Sequence, residues 1–140
     1  MRFMIIVKAT PDSEAERFPD NPEPLFAAMA AYHEELTRAG VLLDAAGLQP
    51  SSKGWRIEYD GKKRSVVDGP FAESKELIAG YSLIQVRSRE EALEWSRRYP
   101  NPIAEGARCH IEVRQLYELD DFGDMIAADT KARFQVIEKK

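Results

Sequence analysis

The sequence is poor in the residues that build metal and disulfide sites. It has one cysteine, Cys109, and two histidines, His33 and His110. A single thiol excludes an internal disulfide framework and every multi-cysteine zinc pattern, and it fits a reducing compartment. Cys109 is expected to pack as a small residue at the start of a strand. With two histidines and no carboxylate spacing to complete a ligand set, no metal is expected. Long apolar runs are also missing. The opening "MRFMIIVKAT" is too short for a signal peptide or a spanning helix, so the chain is expected to be cytoplasmic with no membrane partner.

Positive charge is neither abundant nor striped. The formal net charge is -4, and the one basic cluster, "GKKR" at residues 61 to 64, falls at a hairpin tip. A phosphate-neutralising surface is absent, so no nucleic-acid partner is expected. Gly69, Gly80 and Gly106 match neither the P-loop nor the dinucleotide fingerprint, and no cofactor is expected. The serines of "GLQPSSKGW" lack a nucleophile elbow, which leaves serine hydrolysis without support in the sequence.

What is present suits one compact domain. The chain has 140 residues, 44% hydrophobic and 31% charged, in the usual range for a single core. Folding at this length buries roughly two-thirds of the unfolded surface without help from metal or disulfide. Phe3 to Lys8 is apolar on both faces, as in a central strand. Leu25, Met29, Tyr32, Leu36 and Ala39 recur at spacings of four and three, predicting a helix over residues 22 to 39. Asn21 would cap it, Pro22 would open it, and Gly40 would end it in a left-handed conformation. "VLLDAAGLQ" reads as a second strand. "WRIEY", "DG" and "KKRSVV" read as a hairpin with Asp60-Gly61 at its turn and Trp55, Ile57 and Tyr59 on one face.

Residues 80 to 87 predict the next strand. Ser88 and Glu91 have capping-box spacing before a second helix whose inner side carries Ala92, Trp95, Ser96 and Tyr99. Pro100 stops it, and residues 109 to 119 alternate as a last strand. The order is strand, helix, strand, hairpin, strand, helix, strand, two split halves with both helices on one face of an antiparallel sheet. The other face carries apolar residues of the first strand, which calls for cover by a second copy.

Two places can carry chemistry. In the last strand, Ile111, Val113 and Tyr117 alternate with His110, Glu112 and Arg114, so the polar trio shares a face. Those three can bind or protonate a small ligand, or form a cross-strand charge ladder. At "DGPFAESKELIAGY", residues 68 to 81, Gly69 permits a bend, Pro70 fixes the next backbone angle, and Phe71 can pack inward. Ala72 to Ile78 has the composition of a short helix, with Asp68 as its cap or the loop as an anion site, and Lys75 lies within reach of the same corner. His33 sits beside the helix stripe, as a boundary histidine does.

"VDGPFAESKELIAGY", "GVLLDAAGLQP", "AAYHEEL" and "EEALEW" together resemble the DGPF branch of the YCII-related family, over about residues 1 to 119. The resemblance implies a ferredoxin-like α+β fold, a dimeric α+β barrel, with a cleft beside the sheet for a small-molecule ligand. It implies no established reaction, so enzyme status stays open. In the wider family a histidine and an aspartate have been proposed as an active-site pair. Alignment through "GVLL" puts that histidine near Met29 rather than His33, and the pair is not carried over. The branch pattern instead points to Tyr32 and Asp68 as catalytic candidates, with Tyr32 donating a hydrogen bond and Asp68 acting as base or orienting a partner. The same residues serve equally as a core phenol and a turn closer. Gly69, Pro70, Phe71, Lys75, His110, Glu112 and Arg114 complete the ligand-binding set. Relatives resemble proteins encoded beside, or joined to, extracytoplasmic-function sigma factors, which implies a regulatory protein-interaction module as the alternative. Residues 120 to 140 form a separate extension, expected to be helical from about residue 124 and to pack on its own or the partner subunit.

Overall fold

The computed structural model describes residues 1–139. Four strands, β1 (Arg2–Lys8), β2 (Leu42–Gly47), β5 (Ile78–Gln85) and β6 (Ile111–Gln115), form an antiparallel sheet in the order β2-β5-β1-β6. β3 (Trp55–Asp60) and β4 (Lys63–Asp68) make a separate two-stranded hairpin between β2 and β5. Two helices, α2 (Glu23–Arg38) and α3 (Arg89–Arg97), are the crossovers of the two split halves. This is a ferredoxin-like α+β fold with an inserted hairpin.

Hydrophobic period decides the layers. Phe3 and Ile5 of β1, Ile84 of β5, Tyr32 and Leu36 of α2, and Ala92 of α3 share one buried cluster. Ile111 and Val113 of β6 pack against it, with Trp95 and Tyr99. Both helices therefore cover one face of the sheet. Directly opposed residues share a face, so the pairings Met4↔Leu83, Met4↔Arg114 and Ile6↔Glu112 put Met4, Ile6 and Leu83 on the other face with Glu112 and Arg114.

Several local expectations need correction. Pro22, with no side-chain cap, stands at the N-cap of α2 in place of Asn21, and the helix closes at Ala39 with Gly40 at φ 73. The hairpin turn is centred on Gly61 and Lys62, because Asp60 pairs with Lys63. Only Gly61 has positive φ, the pattern of a II′ turn. Ala72 to Ile78 forms no helix beyond a single 3-10 turn at Ser74–Glu76, and Ile78 already opens β5. The last strand ends at Gln115, so Tyr117 lies beyond it, 74% exposed and stacked on Phe122. Cys109 is exposed rather than packed.

A short helix in the polar N-terminal stretch, α1 (Pro11–Glu14), has no counterpart in the apolar pattern. It exists because Thr10 and Ser13 cap each other reciprocally. At α3, Ser88 accepts from the Glu91 amide, while the Glu91 carboxylate reaches back to the amide of Arg87. Beyond the sheet, 3-10 turns over Leu119–Met125 break at Gly123 (φ 53), and α4 (Ala128–Glu138) starts later than expected. Glu118 holds this segment to the sheet through a paired contact with Arg2 at 2.9 and 3.0 Å. No described helix is long and apolar enough to cross a membrane.

Candidate functional site

The Asp-Gly-Pro-Phe corner is held by the connection between β2 and β3, which is itself tied to α1. The Gly69 amide donates to the carbonyl of Gly54 at 3.0 Å, and the Phe71 amide donates to Ser51 Oγ at 3.0 Å. Ser51 in turn donates its amide and hydroxyl to the Glu14 carboxylate. A Cβ on Gly69 would collide with the Ser51 carbonyl group, so only glycine fits this approach. Phe71 is half-buried, and the guanidinium of Arg56 lies 3.8 Å from its ring centroid. Asp68 ends β4, exposed, paired in register with Trp55.

The segment meets a cavity a few residues later. A cleft of about 490 Å³ lies where the end of β1, the start of α1, the start of β5 and the loop before β6 converge. Its charged lining is cationic throughout: Lys8, Lys75 and Arg108, with His110 beside them and no Asp or Glu. The floor is apolar, from Val7, Ala9, Ala79 and Ile103. Thr10 and Ser13 also reach it, but their hydroxyls already serve the α1 cap. Lys8 is already paired with Glu112 at 3.5 Å, so in a chain of net charge -4 the positive charge facing the cleft comes chiefly from Lys75 and Arg108.

A second lobe of about 360 Å³ opens between α2, β2 and β5. The two lobes share Val7, Ala79 and Pro102, so they adjoin. The second is apolar along Leu25, Phe26, Met29 and Ala46, and polar at one end, where His33, Ser82 and Tyr99 meet. His33 Nδ1 lies 2.7 Å from the Met29 carbonyl, and Nε2 lies 2.7 Å from Ser82 Oγ. A carbonyl only accepts, so in the neutral ring Nδ1 carries the proton and Nε2 accepts from the Ser82 hydroxyl. Burial raises the pKa of Tyr99, an effect offset in part by the neighbouring Ser82 hydroxyl.

The nine residues singled out in the sequence do not form one constellation. Lys75 and His110 line the first lobe, whereas Asp68, Gly69, Pro70 and Phe71 line neither. Tyr32 is 4% exposed inside the core and donates to the Trp95 carbonyl at 2.7 Å. Burial drives its pKa well above the usual phenol range. Glu112 and Arg114 lie on the sheet face away from the helices. Glu112 pairs there with Arg114 at 3.3 Å and Lys8 at 3.5 Å, and these contacts hold its carboxyl below the ordinary glutamate range. No cluster of three metal-ligating side chains occurs among the described residues.

Sequence reasoning missed Ser82, Lys8 and Arg108. Ser82 had a signal: it is a hydroxyl inside an apolar strand, and its register partner is the fully buried Ile5. His33, read in the sequence as a boundary histidine beside the stripe, follows Met29 by four residues and so lies on the same side of α2. Lys8 and Arg108 had none, because the cavity joins segments far apart in the chain.

The YCII-related domain model matches residues 1–118. An uncharacterised protein of Rhizobium meliloti (strain 1021) is 32% identical over 97 residues, covering 69% of this chain and 77% of that protein. Among solved structures, 5-chloro-2-hydroxyhydroquinone dehydrochlorinase from Burkholderia phenoliruptrix AC1100, in complex with 2,5-dihydroxybenzoquinone, matches at 16% identity and a TM-score of 0.45. That match covers 86% of this chain and 98% of the other. On the extent of the domain match and the identity to the Rhizobium protein, the chain belongs to the YCII-related family.

Proposed function

We propose that the chain is a small-molecule-binding protein that takes a compact organic anion in the cleft lined by Lys8, Lys75, Arg108 and His110. The observation that carries this reading is a cavity of about 490 Å³ with an apolar floor and no acidic side chain in its wall. A ligand pairing a carboxylate or phosphate with a small apolar body matches both features. Lys75 ties the Asp-Gly-Pro-Phe segment to the site, with the tetrapeptide as the fixed corner from which that lysine projects. Assignment to the DGPF branch rests on this segment.

The working unit in this reading is a homodimer. Trp55, Ile57, Tyr59 and Val66 form an exposed apolar stripe on one face of the hairpin, and half-buried Met4 and Leu83 lie on the sheet face away from the helices, beside Ile6, which its own chain already covers. Surfaces of this kind favour cover by a second copy.

The test is a thermal-shift screen of the intact chain against small carboxylates and organic phosphates. A ligand at about a hundredfold excess over its Kd adds about 2.7 kcal/mol to stability, several degrees in Tm. Binding should weaken with salt and drop about tenfold, ~1.4 kcal/mol, on Arg108→Gln or Lys75→Gln. A flat response to anions, or hits insensitive to both substitutions, contradicts the reading.

A further inference from the structure

The second lobe has its own chemistry, independent of the anion reading. We propose that Ser82 is a nucleophile activated by His33, acting on small carboxylic esters whose acyl group fills the apolar lobe.

Three observations converge on this. The hydrogen bonds fix direction: Met29 holds the Nδ1 proton, so the Nε2 lone pair faces the Ser82 hydroxyl at 2.7 Å. That is the base–nucleophile relation of acyl transfer, with a backbone carbonyl as the orienting third group. Ser82 is also held rigidly. It lies on β5, which is paired on both sides by β1 and β2, and it is 1% exposed. Finally, the pair borders a cavity. Both line the 360 Å³ lobe, His33 half-buried and Ser82 at its nearly covered inner wall, with Phe26, Met29 and Ala46 beside them. Tyr99, just beyond α3, lines the same end of the lobe as Ser82 and His33, where its phenol can donate to charge developing on a carbonyl oxygen.

The step balances without an added cofactor. Ser82 Oγ bonds to the ester carbonyl carbon while its proton passes to His33 Nε2. The ester C–O bond breaks, and the alkoxide takes that proton and leaves as the alcohol. Water then attacks the acyl-serine, gives a proton to His33, and releases the carboxylic acid as Ser82 regains its hydroxyl.

The experiment treats the full chain with a fluorophosphonate probe and, separately, with p-nitrophenyl butyrate. The expected results are one adduct, mapped by peptide mass spectrometry to Ser82, and ester turnover. Both should be lost in Ser82→Ala and slowed a hundredfold or more, within the usual range for a general base, in His33→Gln. If either variant fails to fold, the adduct position on the unaltered protein decides alone. An unlabelled protein, an adduct elsewhere, or turnover that persists in folded Ser82→Ala overturns the proposal. Anion binding survives Ser82→Ala if only this proposal fails.

Discussion

Tyr32 shows how far a single residue can be read from its neighbours in sequence. The spacing of Leu25, Met29, Tyr32 and Leu36 places it on the buried face of α2, and it is buried there. The partner of its hydroxyl, the Trp95 carbonyl, is 63 residues away and reached only by packing α2 against α3. A backbone acceptor leaves no trace in residue identity. The edge-on stacking with Tyr99, ring centroids 5.1 Å apart, is equally tertiary. Tyr32→Phe should therefore cost about 1 kcal/mol of stability, the usual net worth of one hydrogen bond. Denaturant unfolding checks the cost. Ligand affinity in the cationic lobe should be unchanged, because Tyr32 lines neither lobe. A variant of wild-type stability that had lost binding would instead give Tyr32 a functional role.

At the scale of elements, periodicity carried the four-stranded sheet, α2 and α3, while loop-to-loop contacts stayed hidden. The bend at Gly69-Pro70 is readable from residue types alone. Its clamp is not, because Ser51 and Glu14 come from a connecting turn and from α1, an element made by capping rather than by an apolar stripe. Gly69→Ala puts a methyl group into the Ser51 carbonyl and should destabilise the fold by about 2–4 kcal/mol, in the range of strained, overpacked sites. A midpoint shift in urea with an unchanged slope is the expected signature. A neutral substitution would mean that the corner tolerates displacement. The charge trio of the last strand divides for a comparable reason. His110 precedes the strand and turns into the cleft, whereas Glu112 and Arg114 alternate onto the open face.

For the molecule as a whole, the apolar sequence of β1 explains its central place but not what meets the open face. Exposed Trp55, Tyr59 and Val66, at 65–67%, leave the hairpin with little cover from its own chain. Sedimentation should find a dimer, and Trp55→Glu with Val66→Lys should shift it toward monomer at unchanged helix content. A monomeric wild-type chain would remove the second subunit from the account. The α4 segment also leaves Val136 and Ile137 at 60% and 65% exposure, apolar surface that the proposed dimer would cover.

Binding in the cationic cleft places the ligand against Lys75, Arg108 and His110. Amide chemical-shift mapping with a carboxylate or phosphate from the screen tests it most directly. Saturable shifts are expected at Val7 to Thr10, Lys75, Ala79 and Arg108 to His110. Shifts confined to the hairpin or to Tyr32 and Trp95, with the cationic cleft silent, would contradict it.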